Sequence, residues 1–286
     1  MTKIPVAETI RFAYSFAFGQ IGAIIGLVWL PLIIIAFLQF LPYALGTAYS
    51  AASGNTAEAA GATLINLAFS TTALVLYGMN FVSVTRQALG LRQGAASVHF
   101  SLAWPEWRMF VGIVVCGLIL TAAMGLYLIL GSLLVSQSGN PLIEIAAGVY
   151  AIAGLCALVW FTLRLVFVLP PLIVAEERVD IVRGFLLMRG NIWRALAIAL
   201  AVTVPLLVVQ CVAVGFIAGP SFFAPLTADT AMALAERFRQ LDTHMPALIG
   251  LALLLTPFNL GLMLGASSFA FRTLVPPGTT PPARNS

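Results

Sequence analysis

Residues 145–175 read IAAGVYAIAGLCALVWFTLRLVFVLPPLIVA, an apolar run interrupted by a single charge, Arg164, and closing on the pair Pro170-Pro171. No water-soluble fold tolerates such a run, whereas a bilayer does: about 20 apolar residues cross its hydrocarbon core as one helix. The stretch therefore reads as a transmembrane helix that carries one costly charge and then ends or bends sharply at the prolines.

The rest of the chain agrees. Its 286 residues are 61% hydrophobic and 8% charged, with a mean hydropathy of +1.03. A soluble domain carries roughly a quarter charged residues. The net charge of +4 and the pI of about 9.3 do not point to nucleic acid, because the basic residues are scattered between apolar spans, where they act as topology signals. Cys116, Cys156 and Cys211 fall inside spans, without CxxC spacing or a neighbouring histidine. They read as small apolar residues rather than a disulfide framework or metal site, and no cofactor is implied. Lys3 and Arg11 precede a long apolar stretch that lacks a short h-region with a cleavage site, so the N-terminus is expected to remain in the mature protein.

Six segments are long enough to span: about 21–45, 62–84, 109–135, 145–168, 195–218 and 247–271. The connections alternate in charge. Of 14 Lys plus Arg, all but Arg237 and Arg239 fall on one side, and the positive-inside rule places that side, with both termini, in the cytoplasm. On the external side, 46–61 reads as a flexible loop and 136–141 as a tight turn. Residues 227–243 read as a surface amphipathic helix with Leu234, Phe238 and Leu241 on one face, or as a covered loop. The Pro-rich residues 276–286 read as a disordered tail behind a single transmembrane domain, 1–275.

Three segments that precede spans mix aromatic, basic and apolar residues at helical spacing. The first is Thr9-Ile10-Arg11-Phe12. The second is Ser97-Val98-His99-Phe100 with Trp104, Trp107 and Arg108. The third is Ile181-Val182-Arg183 with Phe185, Trp193 and Arg194. Each has the composition of an interfacial helix. The expected fold is all-α: a polytopic bundle of about six transmembrane helices with interfacial amphipathic helices. The segments suggest a threefold repeat of helical hairpins, chance similarity of amphipathic flanks being the alternative. Copies of one orientation do not support an inverted-repeat transporter.

Chemistry is sparse. No HExxH, GxSxG or GxxxxGK[ST] motif occurs, and His99, His244 and Glu144 stand apart. Gly22 and Gly26 have the spacing of close helix packing. Asn66, Ser70, Thr71, Thr72, Asn80, Gln210 and Asn259 are polar positions within spans, suited to interhelical hydrogen bonds or to a polar seam. The expectation is a non-enzymatic accessory protein. A transporter or channel along Asn66, Asn80, Gln210 and Asn259 is the second reading. A lipid-modifying enzyme with a cavity joining Arg164 to His99 or Glu106 is the third.

The densest constellation runs from Arg164 through Pro170-Pro171, Glu176, Glu177, Asp180 and Arg183 to Arg189, Asn191, Trp193 and Arg194. Arg164 is expected to snorkel to headgroups or to pair with Glu176 or Glu177. An amphipathic helix around Val179–Met188 is expected to show Glu177, Asp180 and Arg183 on its polar side. Arg189-Gly190-Asn191 suits a helix end and a turn. Arginines beside interfacial aromatics, namely Arg11, Arg108, Arg183, Arg189 and Arg194, suit anionic headgroups of the cytoplasmic leaflet as partners.

Arg164-Leu165, Leu169-Pro170, the short charged stretch and helix, then Arg189-Gly190-Asn191 and Trp193-Arg194 resemble a signature of one group of bacterial inner-membrane proteins. The group comprises the YciC-like family and the membrane domain that precedes the catalytic domain of membrane-bound glycerophosphodiester phosphodiesterases. This sequence departs from it in having Gly184-Phe185 where a Ser-Trp pair is frequent. The resemblance implies a fold and a bacterial inner-membrane address. It does not imply phosphodiesterase activity, since the residues for that chemistry are absent.

Overall fold

The computed structural model describes residues 2–44, 56–92, 103–135, 141–219 and 244–275. The segment 227–243, the tail from 276, His99 and most of the 46–61 and 136–141 connections lie outside the described residues. Every regular element within them is helical: α1 (Val6–Gly19), α2 (Ile21–Ala44), α3 (Thr56–Ala88), α4 (Trp104–Val135), α5 (Pro141–Val166), α6 (Leu169–Glu176), α7 (Ile181–Leu187), α8 (Ile192–Ala218) and α9 (Met245–Leu274). Six stretches, in α2, α3, α4, α5 with α6, α8 and α9, are long and apolar enough to cross a membrane. The chain is a multi-pass membrane protein.

The helices α3, α4 and α9 overshoot the apolar segments that announce them. The 33 residues of α3 extend roughly 50 Å, against a hydrocarbon core of roughly 30 Å. Hydropathy marks only the part in hydrocarbon, so the polar turns at each end extend the element beyond its signal.

The spans pack as hairpins, α2 on α3, α4 on α5 and α8 on α9. Short helices precede the first and third hairpins, whereas the segment leading into α4 lies largely outside the described residues. In the middle hairpin two tyrosines reciprocate. Tyr127 donates to the Ala151 carbonyl (3.0 Å) and Tyr150 to the Tyr127 carbonyl (2.8 Å), with the rings stacked at 5.2 Å. Tyr127 lies where a Cβ on Gly154 would stand, so only glycine admits it.

α9 is the central helix, packed on α1, α2, α3, α6 and α8. Its approach to α1 rests on small residues. A Cβ added at Gly261 would lie 3.1 Å from the Ala17 Cβ, and one at Gly265 would lie 3.4 Å from the Ala13 Cα. A glycine pair four apart on one helix thus faces an alanine pair four apart on the other, which lets the two backbones meet. The close contact suggested for Gly22 is not there, since nothing lies within 4 Å of a Cβ at that position. The two motifs have equal spacing, and the facing helix decides which is used.

Burial is uneven. Buried residues concentrate on α1, α3, α6 and α9, while α4, α5 and α8 turn large apolar side chains such as Leu118, Leu126, Ile152 and Phe216 outward. In a bilayer that outward face contacts hydrocarbon and needs no further cover.

Gly261→Leu should drive its side chain into Ala17 and Ile24 and lower the detergent melting temperature, an overpacking cost of about 1–3 kcal/mol or more. Gly22→Ala should be neutral or raise it, by up to about 1 kcal/mol. Thermal unfolding of the two purified variants separates the used motif from the unused one.

Candidate functional site

The site begins with two missing amides. α5 ends at Val166, and α6 starts at Leu169 with a proline in its first turn, so the break precedes Pro170-Pro171 instead of falling at them. A first turn tolerates prolines, because most N–H groups there have no intrahelical partner. Pro171 nevertheless leaves the Phe167 carbonyl without its i+4 donor. Ser267 of α9 supplies it: Oγ donates to that carbonyl at 2.6 Å, in a buried bond spanning 100 residues. α6 is thereby held as a wedge among α3, α4 and α9, with Leu169, Pro171, Leu172, Ile173 and Val174 buried. Gly112 of α4 makes room for Ile173.

Arg164 stands in the last turn of α5, where the helix dipole favours a cation. It does not pair with Glu176 or Glu177. Its guanidinium carbon lies 3.8 Å from the centroid of the Phe185 ring and 5.1 Å from that of Trp160, and its Nε donates to the Phe185 carbonyl at 3.0 Å. Two aromatic faces and one carbonyl take the place of the expected carboxylate, and they tie α5 to α7 across α6. A planar, weakly hydrated guanidinium suits this stack; an ammonium does not.

The carboxylates are committed elsewhere. Glu176, with a side chain 5% exposed, binds Arg183 at 2.7 Å and Arg178 at 3.2 Å. A carboxylate at a helix C-terminus is disfavoured by the dipole, and the two arginines offset this. Glu177 takes φ 54° as it turns the chain out of α6 and faces Arg108 at 3.6 Å. The helix expected to carry Glu177, Asp180 and Arg183 on one polar side is shorter than expected. α7 begins at Ile181, and Asp180 caps it, accepting from the Arg183 amide at 2.9 Å.

The last corner of the constellation holds an extended stretch of chain. After the turn at Gly190, φ 79°, the buried Asn191 accepts from the Ile4 amide (3.0 Å) and donates to the Thr2 carbonyl (3.1 Å). Arg194 donates to the Ile4 carbonyl at 2.8 Å. Trp193, 78% exposed, points away from the clasp, and Arg189 is exposed. Of the residues grouped as a lipid or structural site, Arg164, Glu176, Glu177, Arg183, Asn191 and Arg194 thus have partners within the chain, and Pro170 builds the α6 start. Trp193 and Arg189 remain outward.

The polar positions of the spans do not form one seam. Asn66 and Ser70 line a groove between α2 and α3, and Gln210 lines another between α8 and α9. Asn80 is fully buried, and Asn259 is exposed. Glu106 is buried in the first turn of α4, where its carbonyl meets Gly78 of α3. Among the described residues, no group of three or more His, Cys, Asp or Glu is placed to hold a metal ion. No family model, curated protein or solved structure matches the chain.

Sequence reasoning does not single out Phe185 as the partner of Arg164, or Ser267, or the clasp on residues 2–4. One of these carries a signal: a Pro at 171 announces an orphan carbonyl at 167, which calls for a hydroxyl donor.

Ser267→Ala should leave the Phe167 carbonyl buried and unpaired, lowering stability by about 1–3 kcal/mol. Pro171→Ala restores an N–H at the right register and should recover part of the loss in the Ser267→Ala background, a coupling that a double-mutant cycle of thermal stabilities measures. Arg164→Leu should lower stability by about 2 kcal/mol, and Arg164→Lys should rescue little of it.

Proposed function

We propose that this is a non-enzymatic accessory protein of a bacterial inner membrane, with both termini in the cytoplasm and an arginine-rich face that engages anionic lipid headgroups. The observation that carries this reading is a group of cations at one turn that have no carboxylate partner among the described residues. α3 closes in a double-bonded turn, with the Leu91 amide donating to the Arg86 carbonyl and the Gly90 amide to the Gln87 carbonyl, Gly90 taking φ 66°. Arg86 and Arg92 flank this turn, and the Nη2 of Arg272 lies 3.6 Å from where a Gly90 Cβ would stand. Burial, and then the charge of Arg86, lower the pKa of Arg92, yet a guanidinium stays protonated at physiological pH.

The distribution of charge supports the same reading. The side bearing twelve cations holds five carboxylates, Glu8, Glu106, Glu176, Glu177 and Asp180. Glu176 and Glu177 are committed to Arg178, Arg183 and Arg108, and Asp180 to a helix cap. The lipid contact therefore moves from Arg183 and Arg194, which serve the fold, to Arg86, Arg92 and Arg272, with the exposed Arg11 and Arg189 on the same side. Each cation near an anionic leaflet contributes about 1 kcal/mol.

Membership of the YciC-like group belongs to the same proposal. The departure at 184–185 is compatible with the geometry. A Cβ at Gly184 would meet Leu172 at 3.5 Å, an ordinary contact, and any aromatic ring at 185 can carry the Arg164 stack.

Replacing Arg86, Arg92 and Arg272 together with Gln should reduce co-purified phosphatidylglycerol and cardiolipin, read by native mass spectrometry, while insertion and melting temperature persist. An unchanged lipid complement would leave these arginines a topological role alone. Reporter fusions after Asn55 and at the C-terminus should report opposite sides of the membrane, the C-terminal one cytoplasmic.

A further inference from the structure

α2 and α3 leave between them a groove of about 380 Å³. Apolar walls such as Leu38, Phe69 and Leu74 alternate there with four neutral polar side chains, Gln39, Asn66, Ser70 and Tyr77. On α3 the polar positions fall at 66, 70 and 77, one face of a helix. No hydrogen bond joins any of the four side chains to the rest of the described chain. Their neighbours behave otherwise: Thr71 and Thr72, both exposed, return their hydroxyls to the Leu67 and Ala68 carbonyls at 2.8 and 2.9 Å. Ser70, equally exposed but lining the groove, makes no such bond.

Depth sharpens the contrast. The apolar segment of α2 runs to about residue 45 and that of α3 starts at about residue 62. At 1.5 Å per residue, Gln39 lies about 9 Å and Asn66 about 6 Å inside the apolar boundary. Open amides at that depth are costly, since hydrocarbon offers no partner. The groove lies at the end of the hairpin remote from α6 and α7, and no charged residue lines it.

We infer that the α2–α3 groove binds a membrane amphiphile whose polar part is uncharged, a hydroxyl or ester on a long apolar chain such as a diacylglycerol. The two amides and two hydroxyls offer both donors and acceptors to an ester carbonyl or alcohol, and the apolar walls take the chain. A phosphate or carboxylate would be desolvated there without a cation. This site is independent of the arginine cluster at the opposite end of the spans: it takes neutral heads and the cluster takes anionic ones.

The test uses the full chain in nanodiscs with two photoreactive probes of identical acyl chains, one a diacylglycerol and one a phosphatidylglycerol. The diacylglycerol probe should label peptides covering 60–77 preferentially, and unlabelled diacylglycerol should compete. Gln39→Leu, Asn66→Leu and Ser70→Ala together should cut that labelling by about tenfold, the effect of losing two or three modest hydrogen bonds. The variant should fold, because the substitutions place apolar groups against hydrocarbon, and labelling in the α8–α9 groove around Gln210 should persist as the internal control. Equal labelling by both probes would overturn the inference, showing a groove that senses acyl chains alone. Undiminished labelling of a variant that melts like wild type would overturn it too, as would α3–α3 crosslinks that exclude the probe, which would make a second copy of the chain the occupant.

Discussion

One carbonyl constrains this bundle. Pro171 removes the amide that would pair with the Phe167 carbonyl, and in a membrane interior no water takes its place. The Ser267 hydroxyl does, and it lies on α9, the helix against which most others pack. A local defect in one helix is thus converted into a long-range tie. Because α6 is fixed at its start, its apolar side chains reach α3, α4 and α9 together, and Gly112 keeps the space that Ile173 needs. The small-residue contact of α1 on α9 closes the same assembly from the other side.

Charges obey the same demand for partners. Each ionisable group in the 164–194 constellation that turns inward finds a partner of matching geometry: the flat Arg164 a ring and a carbonyl, the buried Glu176 two guanidiniums, Asp180 a helix end. A group so engaged is hard to free for chemistry, which is why the constellation reads as architecture. Arg86, Arg92 and Arg272, gathered around one tight turn, have no such engagement among the described residues.

How far the sequence predicts these features depends on the range of the interaction. The spans are visible because hydropathy reports hydrocarbon contact directly, and the turn at Gly190 is visible because a positive φ demands a particular residue. Partners are not. An arginine in an apolar helix announces a charge and directs attention to the carboxylates nearby in sequence, Glu176 and Glu177, while a ring face carries no comparable mark. Gly22 and Gly261 belong to motifs of one spacing, and only the facing helix tells them apart. Asn66, Asn80, Gln210 and Asn259 look alike in sequence, yet they occupy a groove, a buried position, a second groove and an exposed face. Secondary structure is local, whereas the placement of polar groups depends on tertiary packing.

The clasp on residues 2–4 sets an order of assembly. Ile4 and Asn191 are 187 residues apart. At roughly 5–20 residues per second, the ribosome takes about 10–40 s to deliver the second after the first. Through that interval the leading segment has no dock, while α2 to α5 enter the bilayer ahead of it. The clasp therefore closes late, once the turn into α8 has emerged. It acts as a latch on spans already inserted, tying residues 2–4 to the hairpin of α8 and α9.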